Sequence, residues 1–188
     1  MRHTNPYLII GAALLCVAPV FFTACSGRQH RSGETITDRA TTAVLEADTV
    51  TTLISDSGIV RYRISAPNWQ IFDQVQPSYW EFANGIYLEK FNQDLQVTAS
   101  LRADYARYWD NDERWELSGN VRALNEEGET FLTQQLNWDQ KAERVYSDSA
   151  ITINRQTSVI QGIGFESNQT MTQYTILNPT GYFPIDDE

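Results

Sequence analysis

Leu95, Val97, Ala99, Leu101, Ala103 and Tyr105 are apolar, and the residues between them, Gln96, Thr98, Ser100, Arg102 and Asp104, are polar. A strict period of two sets one face against a core and the other in water, which is the signature of an antiparallel strand. Trp115, Leu117, Gly119, Val121 and Ala123 repeat the pattern, and almost no helical period interrupts the series. What this chain does must be done by the inside face of a β structure.

Turn signals divide the chain into strands. Asp56-Ser57-Gly58 precedes the alternating Val60, Tyr62 and Ile64, and strands begin near Val50. Asn84-Gly85 between Tyr79–Phe82 and Ile86–Phe91 reads as a short hairpin. Asn92-Gln93-Asp94 leads into the long Leu95–Tyr105 strand, and Met171–Leu177 is the last one. Counting these signals gives roughly ten strands, an all-β class. Ile64, Leu101, Leu136 and Met171 recur at intervals of roughly 35 residues, with Tyr105 and Trp138 following on the same face. Such a period suits an open jelly roll or a slice of solenoid better than a Greek-key sandwich.

The N-terminus sets the compartment. Arg2 and His3 precede an apolar run from Tyr7 to Phe22, and Phe22-Thr23-Ala24 leads to Cys25. This resembles a bacterial lipoprotein signal, with residues 1–24 removed and Cys25 lipidated. The alternative is an uncleaved helix over the 18 residues Tyr7–Ala24, near the lower limit for spanning a bilayer. Residues 25–49 hold few large apolar groups and read as a flexible tether, and 184–188 as an acidic tail. Cleavage also removes Cys16, so no intramolecular disulfide remains possible.

The formal charge of −10, from 24 acidic and 14 basic residues, argues against a nucleic-acid partner. Both histidines, His3 and His30, lie outside the strand region, so neither a histidine triad nor a zinc site is expected in it. Asp110-Asn111-Asp112-Glu113 lacks the glycine and later glutamate of an EF-hand loop and reads as an acidic turn. No cofactor, metal or catalytic residue is expected.

Leu136-Asn137-Trp138-Asp139, the Val145–Ile153 strand, and Ile160-Gln161-Gly162-Ile163-Gly164-Phe165-Glu166-Ser167-Asn168 followed by Tyr174-Thr175-Ile176 resemble the LptC family. The related LptA family shares the fold. The resemblance, strongest from Val121 onward, implies an open twisted jelly roll of antiparallel strands over residues 50–183, with a hydrophobic interior groove. It also implies a periplasm-facing protein at the inner membrane, here held by lipidated Cys25. Such a protein takes lipopolysaccharide from an inner-membrane ABC transporter and passes it to an LptA-like bridge protein by edge-strand pairing.

Groove candidates are Leu101, Ala103, Val121, Leu136, Trp138, Ile151 and Ile153, each equally explained as ordinary core. Val60, Tyr62 and Ile64 are the expected transporter-facing edge, and Met171, Tyr174 and Ile176 the bridge-facing edge. Gly162 and Gly164 point to a bulge or close backbone approach that shapes the groove. A different class of function, glycan binding or scaffolding of an envelope complex, would use an exposed row among Trp69, Trp80, Trp109, Trp115 and Trp138.

Overall fold

The computed structural model describes residues 42–184. The leader, Cys25, most of the tether and the last four residues lie outside them. Eleven antiparallel strands form one sheet: β1 (Leu45–Asp56), β2 (Ile59–Phe72), β3 (Tyr79–Phe82), β4 (Ile86–Phe91), β5 (Val97–Ala103), β6 (Tyr105–Trp109), β7 (Arg114–Leu124), β8 (Thr130–Asp139), β9 (Arg144–Asn154), β10 (Ser158–Asn168) and β11 (Tyr174–Pro184). The described residues contain no helix.

Four of the short strands are halves of longer ones. β3 and β4 both pair with β2, and β5 and β6 both pair with β7. Asn84-Gly85 is therefore a corner inside one bent strand; the expected hairpin is absent because β3 and β4 never pair with each other. The Leu95–Tyr105 strand is likewise broken. Leu95 sits in the turn with a φ of 59°, the ladder starts at Val97, and Asp104 divides β5 from β6.

These breaks form a line across the sheet. It runs from Thr49 (φ 54°) beside Pro67, through Gly85, Asp104 and Gly119-Asn120, to the register slips of β8 on β9 and β9 on β10. At each slip one strand carries an extra residue, which bends it and strengthens the twist. The sheet folds along this line into two leaves. Leaf 1 holds residues 59–66, 86–91, 97–103, 121–124, 130–133, 151–154 and 158–162; leaf 2 holds 67–72, 79–82, 105–109, 114–118, 136–139, 144–147, 165–168 and 174–178.

Bending a sheet takes backbone groups off the ladder, and buried ones need other partners. Side chains on the line supply them. Thr133 Oγ1 donates to Ala150 O at 2.8 Å, and Ser147 Oγ donates to Gln135 O at 2.6 Å. Ser149 N donates to Ser147 Oγ at 3.1 Å, and Asn120 N to Gln134 Oε1 at 3.4 Å; side chain to side chain, Asn120 Nδ2 also donates to Asp104 Oδ2 at 2.6 Å. Gly164, with φ +76°, sits in the slip of β9 on β10, a conformation that costs most residues about 1–2 kcal/mol. A Cβ on Gly162 would lie 2.3 Å from Ile176 Cγ2, so β10 and β11 approach closely only because this residue has no side chain.

The core lies between the leaves. Leu117, Leu136 and Phe165 of leaf 2 face Val121, Phe131, Ile151 and Ile153 of leaf 1, all within 2% of full burial. Phe131 meets Phe165 with ring centroids 6.2 Å apart, and Tyr174 edge-on at 5.1 Å. Trp69, Trp80, Phe82, Tyr108 and Trp115 form a continuous aromatic stack on the inner face of leaf 2.

Both ends differ from the sequence expectation. β1 starts at Leu45, inside the segment read as tether, and covers β2, so Val60, Tyr62 and Ile64 are not on an edge. Apolar residues are sparse in 45–49, which hid the strand. At the other end β11 spans Tyr174–Pro184, and Met171 belongs to the turn before it.

Candidate lipid-binding cavity and sheet edges

A cavity of about 340 Å³ opens between the leaves. Leaf 2 contributes Trp115, Leu136, Trp138 and Val145, and leaf 1 contributes Ile64, Leu88, Ala99, Leu101 and Ala123. The β10–β11 turn adds Gln169, Thr170 and Met171. Ile64, Leu101, Leu136 and Met171, the four residues of the weak repeat, therefore meet around one space.

Of the expected groove residues, Leu101, Leu136 and Trp138 line this cavity. Ala103, Val121, Ile151 and Ile153 are buried in the packed core beside it, at 6%, 1%, 2% and 0% exposure. Period two finds both sets alike, because it reports inwardness and not whether the facing leaf leaves space. Leu88, Ala99, Ala123 and Val145 carry the same signal and were missed as wall residues. Tyr105 is not on the inner face. Its hydroxyl donates to Glu81 at 2.5 Å on the outside of leaf 2, while Ala106 takes the buried position.

The rim is polar. Lys90 pairs with Glu126 at 2.5 Å. The β10–β11 turn crosses toward the β7–β8 turn, tucking Met171 (φ 57°, 8% exposed) under it. Asn125, buried to 2%, donates to Met171 O at 3.0 Å and accepts from the backbone of Glu127 and Glu129. Arg155 pairs with Glu129 at 2.9 Å and donates to the Tyr174 hydroxyl, joining the tips of leaf 1 to β11. Burial pushes the Tyr174 phenol above its ordinary value, Arg155's hydrogen bond opposes that, and Glu129's charge adds to it.

Both edges of the sheet carry exposed apolar side chains. On β1 these are Leu45, Leu53 and Ile54, and on β11 Leu177, Tyr182 and Phe183. Tyr174 and Ile176 are on this edge strand as expected, but both side chains turn inward to pack on the core. Trp69, Trp80, Trp115 and Trp138 pack inward, and Trp109 lies half-buried against Tyr79 between Arg107 and Arg114. The described residues offer no exposed tryptophan row for a glycan.

The family model described as lipopolysaccharide-assembly, LptC-related matches residues 10–182, most of the chain. No curated protein matches it.

Proposed function

Because the chain belongs to the LptC family, whose members take part in lipopolysaccharide assembly, we propose that it shields lipopolysaccharide acyl chains between its two leaves and passes them along the envelope. The observation that carries this reading is the apolar cavity at which Ile64, Leu101, Leu136 and Met171 converge. Each methylene removed from water contributes about 0.8 kcal/mol, so even partial cover of several acyl chains is a large driving force. Catalysis is no part of the reading.

The two unpaired edges suit end-to-end joining of similar domains. In this reading β11, with Leu177, Tyr182 and Phe183, receives an LptA-like bridge protein, and β1 faces the inner-membrane ABC transporter in place of β2. The apolar N-terminal run holds the protein at the inner membrane, through lipidated Cys25 or as an uncleaved helix.

A photo-crosslinking amino acid at Leu101 in living cells tests the reading, with Glu116 on the outer face of leaf 2 as control. A lipopolysaccharide adduct at Leu101 that needs ATP hydrolysis, and none at Glu116, is expected. A folded, membrane-attached protein with no such adduct at Leu101, Leu136 or Trp138 overturns it.

A further inference from the structure

Ten basic residues fall among the described residues, and seven of them are held in ion pairs with glutamates. The other three, Arg61, Arg102 and Arg122, make no side-chain hydrogen bond or ion pair there. In a chain with 24 acidic against 14 basic residues, an arginine without a carboxylate is the exception that needs a reason. Two of them, Arg102 and Arg122, lie on the outer face of leaf 1, Arg102 between the inward Leu101 and Ala103 and Arg122 between the inward Val121 and Ala123. Arg61 is the extra residue where β2 slips against β1.

Arg102 and Arg122 are direct cross-strand partners and both exposed. Like charges placed directly opposite destabilise a sheet, so this pair works against the fold. The row continues in register: Tyr87 faces Arg102 on one side, and Leu132 faces Arg122 on the other. Tyr87 is 39% exposed and Leu132 37%. Glu89, diagonal to Arg102 across β4, is held by Arg63 at 2.5 Å, and Asp104 accepts from Asn120 and makes no ion pair with either arginine. On the outer face of leaf 2, by contrast, Arg107, Arg114 and Arg144 are each neutralised by a glutamate.

We propose that the outer face of leaf 1, centred on Arg102 and Arg122, docks on the anionic headgroups of a lipid bilayer. A sheet face with a basic pair flanked by an aromatic and an aliphatic side chain matches the headgroup boundary, where arginines meet phosphates and Tyr and Leu enter the interface. An acidic protein segment would be met by the arginines but gives no role to Tyr87 and Leu132. The inference rests on the reading that the N-terminus holds the chain at a membrane. The tether then supplies effective concentration, and the arginine face supplies orientation. Leaf 1 lies against the bilayer and leaf 2 faces away from it.

The test uses the full chain with phosphatidylethanolamine–phosphatidylglycerol vesicles or neutral phosphatidylcholine vesicles, and a photo-crosslinker at Leu132 or, as control, Glu116. Flotation and lipid adducts are read together. Strong labelling at Leu132 in anionic vesicles is expected, with little at Glu116 and little in neutral vesicles. Arg102→Gln with Arg122→Gln should lower it by about fivefold per arginine, and about 0.5 M NaCl should do the same. Arg102→Lys with Arg122→Lys should retain it. The glutamine pair should melt no lower than the wild type, since it relieves a repulsion. Equal labelling at Leu132 and Glu116, labelling indifferent to lipid charge, failure to float with either vesicle, or a protein adduct at Leu132 in cells overturns the inference. The lipopolysaccharide adduct at Leu101 should persist in the glutamine pair, so the groove reading stands or falls by a separate readout.

Discussion

The Ser147 hydroxyl donates to Gln135 O and accepts from Ser149 N, at 1% exposure, where the ladder between β8 and β9 slips. It restores bonds that the bend takes from the backbone. Ser147→Ala takes this partner from the Gln135 carbonyl, which keeps Thr133 Oγ1 at 3.2 Å, and from the Ser149 amide, and should cost about 0.5–1.5 kcal/mol, measured by urea denaturation. A loss of only a few tenths would mean the bend does not depend on it. On the outer face of leaf 2, Glu81 accepts from Tyr105 and Arg107. Burial opposes its charge, but the two hydrogen bonds outweigh that and hold its carboxyl below the ordinary 4.5. Burial, with the bond to Glu81, pushes the Tyr105 phenol up to about 12. Since the folded Glu81 value is the lower one, its stabilising contribution is complete above the ordinary carboxylate value and is lost as pH falls through the folded one. Glu81→Gln should therefore be less stable than wild type near neutral pH, with the gap closing as the pH falls below the ordinary carboxylate value. A gap that stays constant across this range would contradict the assignment.

At the scale of elements, the turn between β10 and β11 is held by a residue from another turn. Asn125 anchors Met171 O and orders its own turn, and Asn168 Oδ1 accepts from Thr172 and Gln173. Asn125→Ala should lose about 1–3 kcal/mol. It should also raise hydrogen exchange at residues 168–173 more than in β7 or β8; uniform change would show that the contact does not hold the turn. This cross-turn contact was invisible in the sequence, where Asn125 reads only as a turn former. Strand existence, by contrast, was legible nearly everywhere, because inward apolar residues recur every second position. What failed was continuity across the bend. β2, β5–β6, β8 and β10 switch the parity of their inward residues as they cross the line: Ala66 gives way to Trp69, Ala103 to Ala106, Thr133 to Leu136, and Gly162 to Phe165. β7 and β9 keep theirs, from Leu117 to Val121 and from Ser147 to Ile151. A period-two reading carried through Asp104 therefore puts Tyr105 on the wrong face. The same reasoning explains why the Asn84-Gly85 pair, ideal for a hairpin, serves a corner.

For the molecule as a whole, the decisive quantity is where the two leaves meet tightly and where they leave space, and alanines on either side of that boundary report it. Ala123 is 3% exposed and lines the cavity; Ala106 is fully buried in the packed part of the same core. Packed interiors resist added volume, typically by about 1–3 kcal/mol, because neighbours are forced off their rotamers. Ala106→Phe should pay that cost. Ala123→Phe has about 340 Å³ before it, shared with Leu101 and Leu136, and should leave the urea midpoint within the equivalent of about 1 kcal/mol. The ring would then occupy the space proposed for acyl chains, so the lipopolysaccharide adduct at Leu101 should fall while membrane attachment is unchanged. Comparable destabilisation by both substitutions would make the cavity an ordinary, collapsible part of the core. A stable Ala123→Phe protein that still forms the full Leu101 adduct would place the acyl chains elsewhere. A stable protein with the adduct lost ties transport to the gap between the leaves, since the only change is the volume left inside the fold.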